Sequence, residues 1–339
     1  MTTWNFLLGA ALAMSPLLSH STIWRVNNLG YSADFTALQS AIDSAGAGDT
    51  LHVEASTTSY GYVTVDRPLV FIGPGYKLGQ SASDNPELQA NAQMATLGGI
   101  VLAQFSEGTV IQGLRFNGNF EGIAFTTGTG NYIIRRCFFD GVGITFGLNS
   151  VAVSNVLITQ CYMHSFALTA HPTALGQSNV FITNNYIYGY IANWSTQASD
   201  WTIAHNVINW NLTSQFYDAV VKDNVFDGLA SVPVNNNDIH DNIARNANIL
   251  PTGNNNLNSQ NLALHYPAAG SDDGKWDLLS GSTFNNWGSD STDVGMYGGA
   301  TPYRRSGIPA IPAIYLFRAP TTAIEGDPLE VTLSTRSNN

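Results

Sequence analysis

The sequence predicts an all-β chain, a right-handed parallel β-helix with an N-terminal capping helix and a short C-terminal β tail. Three observations carry that expectation. An eight-residue phrase recurs seven times, its starts 23, 24, 24, 21, 18 and 18 residues apart, and periods of this size mark a solenoid. Within the phrase, apolar residues fall at strand periodicity rather than helix periodicity. Charged residues make up only 11% of the 339, with Asn, Ser, Thr and Gly in their place. Stacked parallel strands set like residues side by side, where like charges would repel.

The phrases are "IQGLRFNG" from Ile111, "IRRCFFDG" from Ile134, "ITQCYMHS" from Ile158, "ITNNYIYG" from Ile182, "IAHNVINW" from Ile203, "VKDNVFDG" from Val221 and "IHDNIARN" from Ile239. The first column (Ile111, Ile134, Ile158, Ile182, Ile203, Val221, Ile239) and the sixth (Phe116, Phe139, Met163, Ile187, Ile208, Phe226, Ala244) are apolar and point inward. The fourth column lies between them and reads Leu114, Cys137, Cys161, Asn185, Asn206, Asn224, Asn242. Four consecutive asparagines in an inward column predict a ladder in which each amide satisfies its neighbour. Cys137 and Cys161 fall one rung apart, about 4.8 Å. Either a disulfide or a pair of stacked free thiols fits that separation.

Around the repeat the chain divides into five segments. Residues 1–21 read as a signal peptide, with an apolar stretch from Trp4 to Ala13 followed by small residues, though no Lys or Arg stands near Met1. Residues 22–75 supply the N-terminal cap and first coils. There Phe35, Leu38, Ala41 and Ile42 make one helical face, Asp34 is placed to cap its start, and "LHV", "YVTV" and "LVFI" begin the coils. The β-helix is expected over 76–266, with a loop at 75–96. An irregular Gly, Ser and Asp-rich cap follows at 267–311, then a strand-like tail at 312–339. In the tail Leu329, Val331 and Leu333 alternate with polar residues and are expected to pair with Ile314 to Phe317.

The formal charge is −11 with 13 Lys and Arg and no basic run, which argues against nucleic acid and anionic membrane surfaces as partners. No stretch outside the first segment approaches the roughly 18 apolar residues of a membrane span. Two cysteines make neither a disulfide framework nor a zinc site. "GSDDGKWD" and "SDSTDVG" look like loose calcium loops without EF-hand spacing, so no metal and no cofactor are expected. Asn193 and Asn211 stand in glycosylation-type triplets.

Several phrases, "TIWRVNNLGYSADFTALQSAIDSAGAGDTLHVE", "FIGPGYKLG", "GMYGGATPY" and "LEVTLSTRSNN", resemble those of secreted bacterial right-handed parallel β-helix repeat proteins. These are cell-surface proteins of pectate-lyase-like fold with no assigned activity. The resemblance covers nearly the whole chain after residue 22. It implies the fold and an extracellular, cell-surface location, and it carries no catalytic residue.

Two sets of side chains are candidates for function. The fifth column is Arg115, then Phe138, Tyr162, Tyr186, Val207, Val225 and Ile243. It points outward, and an exposed apolar stripe marks a contact or glycan-binding surface. A loop or the tail lying over it is the other reading. The second and third columns concentrate titratable groups late in the repeat, namely His205, Lys222, Asp223, His240 and Asp241. A lyase needs a base and a cation, and a hydrolase needs two spaced carboxylates, which Asp223 and Asp241 could supply one rung apart. Solvated turn residues would look the same. The first expectation is therefore a non-enzymatic extracellular structural or adhesive surface protein, a subunit of a filament or lattice, partnered by copies of itself or by cell-surface polysaccharide. The alternative is a polysaccharide lyase or glycoside hydrolase. A deep groove lined by Arg136, Lys222 or Asp223 would favour the enzyme; a covered face would favour the structural reading.

Overall fold

The computed structural model describes residues 21–337 apart from 79–90, 120, 129, 165–167, 194–198, 210–211, 214–217, 229–231, 233–235, 323–325 and 327. The expected signal peptide of 1–21, except for Ser21, and the triplet's Asn211 lie outside the described residues. Asn193 is fully buried in the strand Ile191–Asn193, which removes it as a modification acceptor.

The chain winds into a parallel β-solenoid of about seven turns. Among the described residues, three parallel sheets wrap one core. The first sheet stacks ten strands from Ile23–Val26 to Asp238–His240, the second eight from Thr96–Leu97 to Ile243–Ala244, and the third seven from Tyr62–Val65 to Leu212–Thr213. A full coil gives one strand to each; Val153–Thr159, Tyr162–His164 and Leu168–Ala170 are an example. The register is the one the phrase predicts, with Ile111, Ile134, Ile158, Ile182, Ile203, Val221 and Ile239 side by side. The first and sixth columns are buried throughout. Aromatic residues stack within the core, Phe116 on Phe139 at 5.0 Å and Phe125 on Phe146 at 5.1 Å.

The corner between the first and second sheets is made by one residue per coil in the left-handed region. It is the third position of every phrase: Gly113, Arg136, Gln160, Asn184, His205, Asp223 and Asp241, with φ between 53° and 70°. Such a residue turns the chain sharply, so that the fourth side chain points in and the fifth points out. Asn and Asp tolerate this conformation; Arg, Gln and His are held there against a local cost.

Inside that corner runs the asparagine ladder. Asn206 donates from Nδ2 to Ile182 O (2.8 Å), Ala204 O (3.0 Å) and Asn224 Oδ1 (3.0 Å). Its Oδ1 accepts from the backbone N–H and the Nδ2 of Asn185, both at 3.0 Å. Asn224 and Asn242 repeat the pattern, and Asn185, Asn206, Asn224 and Asn242 are all 0% exposed. A fifth amide, Asn256, closes the ladder by accepting from Asn242 at 3.1 Å and donating to Ile239 O at 2.8 Å. The cysteines continue the column upward as free thiols. Cys161 Sγ donates to Thr159 O (3.4 Å) and Ile134 O (3.7 Å), the same two carbonyl positions that an asparagine amide uses. Burial pushes the Cys161 thiol well above its ordinary value, so the donor proton stays in place.

At the N-terminal end the helix is Leu38–Ser44, with Leu38, Ala41 and Ile42 buried. Asp34 does not cap it. Its carboxylate accepts from Arg25 N–H at 2.8 Å, and the N-cap position of the helix is Ala37, with no side-chain cap. The cap on this end is fixed by Asp49, which accepts from Thr22 N–H (2.7 Å), Trp24 Nε1 (2.9 Å) and Gly46 N–H (2.9 Å). At the other end, Ala313–Arg318 pairs antiparallel with Thr332–Arg336, Phe317 opposite Leu333 as expected, while Leu329 and Val331 precede the strand rather than lie in it. Ile314, Phe317, Leu329, Val331 and Leu333 in and beside this hairpin are exposed.

Candidate functional site

The fifth-column stripe is not exposed. Phe138, Tyr162, Tyr186, Val207, Val225 and Ile243 point outward from the second sheet as expected, yet each is buried. The chain after Leu257 folds back over them. Leu262, Tyr266, Trp276, Phe284, Val294, Met296 and Tyr303 join them in a second hydrophobic cluster outside the solenoid core. Repeat periodicity could assign the stripe's direction but not its cover, because the covering segment has no repeat of its own.

The same segment is stitched to the corner residues in order. Asp223 accepts from Ser289 N–H (2.6 Å) and Ser289 Oγ (2.8 Å). His205 Nε2 lies 3.2 Å from Asp290 Oδ2. Asn184 donates to Gly298 O (2.7 Å) and Met296 O (3.1 Å). Gln160 donates to Pro302 O (2.6 Å), and Arg136 to Ile308 O (3.0 Å). The returning chain thus runs back along the corner, one tie per rung.

This seam absorbs most of the titratable candidates. His205, Lys222 and Asp223 do come together: His205 Nε2 and Lys222 Nζ are each 3.5 Å from Asp223 Oδ2. Lys222 also donates to Ser289 Oγ at 3.0 Å. His205, Asp223 and Asp290 each bring a ligand atom within 4.8 Å of the others, the only such group among the described residues. Burial opposes ionisation of Asp290, but hydrogen bonds from Thr292 and then the charge of His205 hold its carboxyl below the ordinary value. With Lys222 beside Asp223, the arrangement is an ion-pair network that fastens the covering segment. His240 and Asp241 form a separate pair at 2.6 Å, and Asp241 accepts from Asn255 at 2.5 Å. Asp223 and Asp241 therefore face different partners and do not share a cleft. The acidic loops are engaged likewise. Asp273 accepts from Ser306 N–H (2.7 Å), Asp277 pairs with Arg305 (2.9 Å), and Asp293 accepts from Asn286 N–H (2.8 Å).

The open surface lies one step further out, along the edge of the covering segment. A cavity of about 460 Å³ is lined by Lys77, Phe138, Asp140, Tyr162, His164, Tyr186, Tyr188, Asp272 and Lys275. A second, of about 290 Å³, is lined by Asp227, Arg245, Leu262, Ala263, Tyr266, Pro267, Ala268, Lys275 and Trp276. They share Lys275 and make a groove along the solenoid. Neither Arg136, Lys222 nor Asp223 lines it. One wall is drawn from the seventh column of the phrase, Asp140, His164 and Tyr188 in the first cavity and Asp227 and Arg245 in the second, a column that shows no shared chemistry in the sequence. The other wall is the covering segment.

Aromatic rings line the groove. Tyr162 stacks on Tyr186 with centroids 4.5 Å apart, and His164 on Tyr188 at 5.4 Å. Tyr162 and Tyr186 are the buried back wall; burial pushes the Tyr186 hydroxyl up to about 12, so it stays a protonated donor. Tyr188 and His164 face the opening. Lys77 Nζ sits 3.9 Å above the Tyr162 ring and 2.6 Å from Asp272. Asp140 pairs with Arg115 at 2.5 Å, and Asp227 with Arg245. Trp276 Nε1 is buried without a hydrogen-bond partner. No described helix is long and apolar enough to cross a membrane. No protein-family model, no curated protein and no solved structure matches the chain.

Proposed function

We propose that the chain is a non-enzymatic extracellular surface protein that holds an extended glycan along the groove beside its covering segment. The observation that carries this reading is the lining of the groove. It is long, aromatic and open at Tyr188 and His164, and flat rings flanked by hydrogen-bonding side chains suit the faces and hydroxyls of sugar rings. Binding is favoured over turnover because the carboxylates in the groove are each held by a cation, Asp140 by Arg115, Asp272 by Lys77 and Asp227 by Arg245. A glycosidase needs one carboxyl group free to give a proton and another free to attack or to activate water.

Calorimetry against a panel of neutral and carboxylated oligosaccharides tests this. Tyr188→Ala should weaken binding about tenfold, the loss of roughly 1.4 kcal/mol of contact. No new reducing ends and no unsaturated product should form on prolonged incubation. Binding that is unaffected by Tyr188→Ala, or cleavage of any bound chain, contradicts the proposal.

Self-association is a second reading, supported by the C-terminal hairpin. A two-stranded hairpin is marginal in water, and this one leaves Ile314, Phe317 and Leu333 exposed.

A further inference from the structure

We infer that the groove takes a glycan whose carboxylates are widely spaced, with one carboxylate seated on Lys275. The inference rests on the glycan-binding reading above and names the chemistry of its ligand.

Lysine is scarce in this chain; there are three, Lys77, Lys222 and Lys275, and two of them line the groove. Their situations differ. Lys77 is satisfied by Asp272 at 2.6 Å and by the Tyr162 ring. Lys275 is half-buried, lines both cavities, and has no carboxylate partner among the described residues. The remaining charges of the groove cancel in pairs, Arg115 with Asp140, Lys77 with Asp272 and Arg245 with Asp227. Lys275 is left as the uncompensated cation at the junction of the two cavities.

Its position is fixed by the fold. Lys275 is the middle residue of the single turn Gly274–Trp276. That turn is anchored by Asp273, fully buried, whose carboxylate accepts from Gly274 N–H (3.0 Å), Ser306 N–H (2.7 Å) and Tyr303 OH (3.2 Å). Trp276, next in sequence, packs inward at 5.7 Å from Tyr186. A partly desolvated ammonium on an anchored turn binds an anion with less loss of side-chain freedom than a mobile surface lysine does.

The size of the charge follows from the surroundings. Asp140, Asp272 and Asp227 all line the same groove, and the whole chain carries −11. With those carboxylates paired, the groove has one positive charge in excess, which one monovalent anion neutralises; the further charges of a densely charged polyanion, or of a multivalent sulfate or phosphate, would meet only the net negative field of the chain. One monovalent carboxylate per binding site, with neutral sugars either side, matches one free lysine between two neutral stretches.

The test uses hyaluronan octasaccharide, in which acidic and neutral sugars alternate, and the same oligosaccharide with its carboxyls reduced to alcohols. Wild-type protein should bind the acidic form about tenfold more tightly than the reduced form, the worth of one charge-assisted hydrogen bond. The preference should fall when salt rises from about 10 mM to about 1 M, as the Debye length shrinks from about 30 to about 3 Å. Lys275→Gln should abolish the preference and leave affinity for the reduced form unchanged, while Lys275→Arg keeps it. Equal wild-type affinity for both forms, or a preference that survives Lys275→Gln, overturns the inference and leaves the glycan-binding reading standing. Binding of neither form, nor of the wider oligosaccharide panel, overturns both.

Discussion

The third and fourth positions of the repeated phrase are neighbours in every coil, and they solve different problems. The fourth position meets only other coils. Asparagine recurs there from Asn185 to Asn256 because each rung presents the next with the same carbonyl oxygen and the same amide. The third position meets the returning chain, which has no period. Arg136, Gln160, Asn184, His205 and Asp223 share a backbone conformation but no chemistry, and each is matched to a different partner between Ser289 and Ile308. Repetition of residue type therefore marks a surface that packs on itself. A fixed conformation with changing residue type marks a surface that packs on something irregular.

The sharpest break of this contrast is at the ladder. Asn206→Leu leaves the backbone N–H of Asn185 without its acceptor and removes one bond each from Asn185 Nδ2, Ile182 O, Ala204 O and Asn224 Oδ1, the last of which keeps the backbone N–H of residue 206 at 2.9 Å. An unsatisfied buried polar group costs about 1–3 kcal/mol, so the variant should lose about that much in urea unfolding.

A smaller, local effect is expected at the seam. A Cβ added to Gly298 would lie 1.6 Å from the carbonyl oxygen of Asp293 and 2.8 Å from His205 Nδ1. Gly298→Ala should displace the returning chain around it, read as faster amide exchange over 289–299, while protection along the ladder is retained. Loss of protection in the ladder as well would mean that the two positions are not energetically separate.

Legibility in the sequence follows the same division. The ladder was visible because its residues repeat; Asn256 was missed because its coil starts only 14 residues after the previous one, at Gly253 where an aliphatic residue was sought. The disulfide question was open from spacing alone, and the free thiols answer it by bonding to carbonyls as the asparagines do. The stripe's burial and the seam were not legible. Both depend on a segment whose composition reads as loop, and the seam's ties reach between 66 and 172 residues along the chain. The groove was hidden for the same reason, since its walls come from two segments and its key cation, Lys275, sits in what looked like a calcium-type turn.

Acid gives a gentler probe of the seam. The carboxyl of Asp290 is held below its ordinary value of 3.8. A depressed folded value means that its contribution is present above about pH 4 and is lost as the pH falls through that lower value. Exchange over 289–299 should therefore rise in acid before the solenoid unfolds, and Asp290→Asn should flatten that rise.

The smallest effect on stability is expected from the tail. Deleting Pro320 to Asn339 removes one strand of a hairpin that packs little, so the unfolding midpoint should stay within about 0.5 kcal/mol of wild type. Sedimentation should show that association of the full chain is lost. A truncated chain that still associates would move the self-assembly surface elsewhere.

The seam also acts as a gauge of length. From Asp223 to Arg136 the returning chain touches five successive rungs, four steps of about 4.8 Å, so it measures off about 19 Å of solenoid. A coil duplicated within that span would continue the ladder without fault yet leave every later tie one rung out of place. Coil number could drift freely in a bare solenoid, where each coil knows only its neighbours. Here the returning strap counts the coils it crosses, and a lineage that adds or drops one must rewrite the strap in the same step.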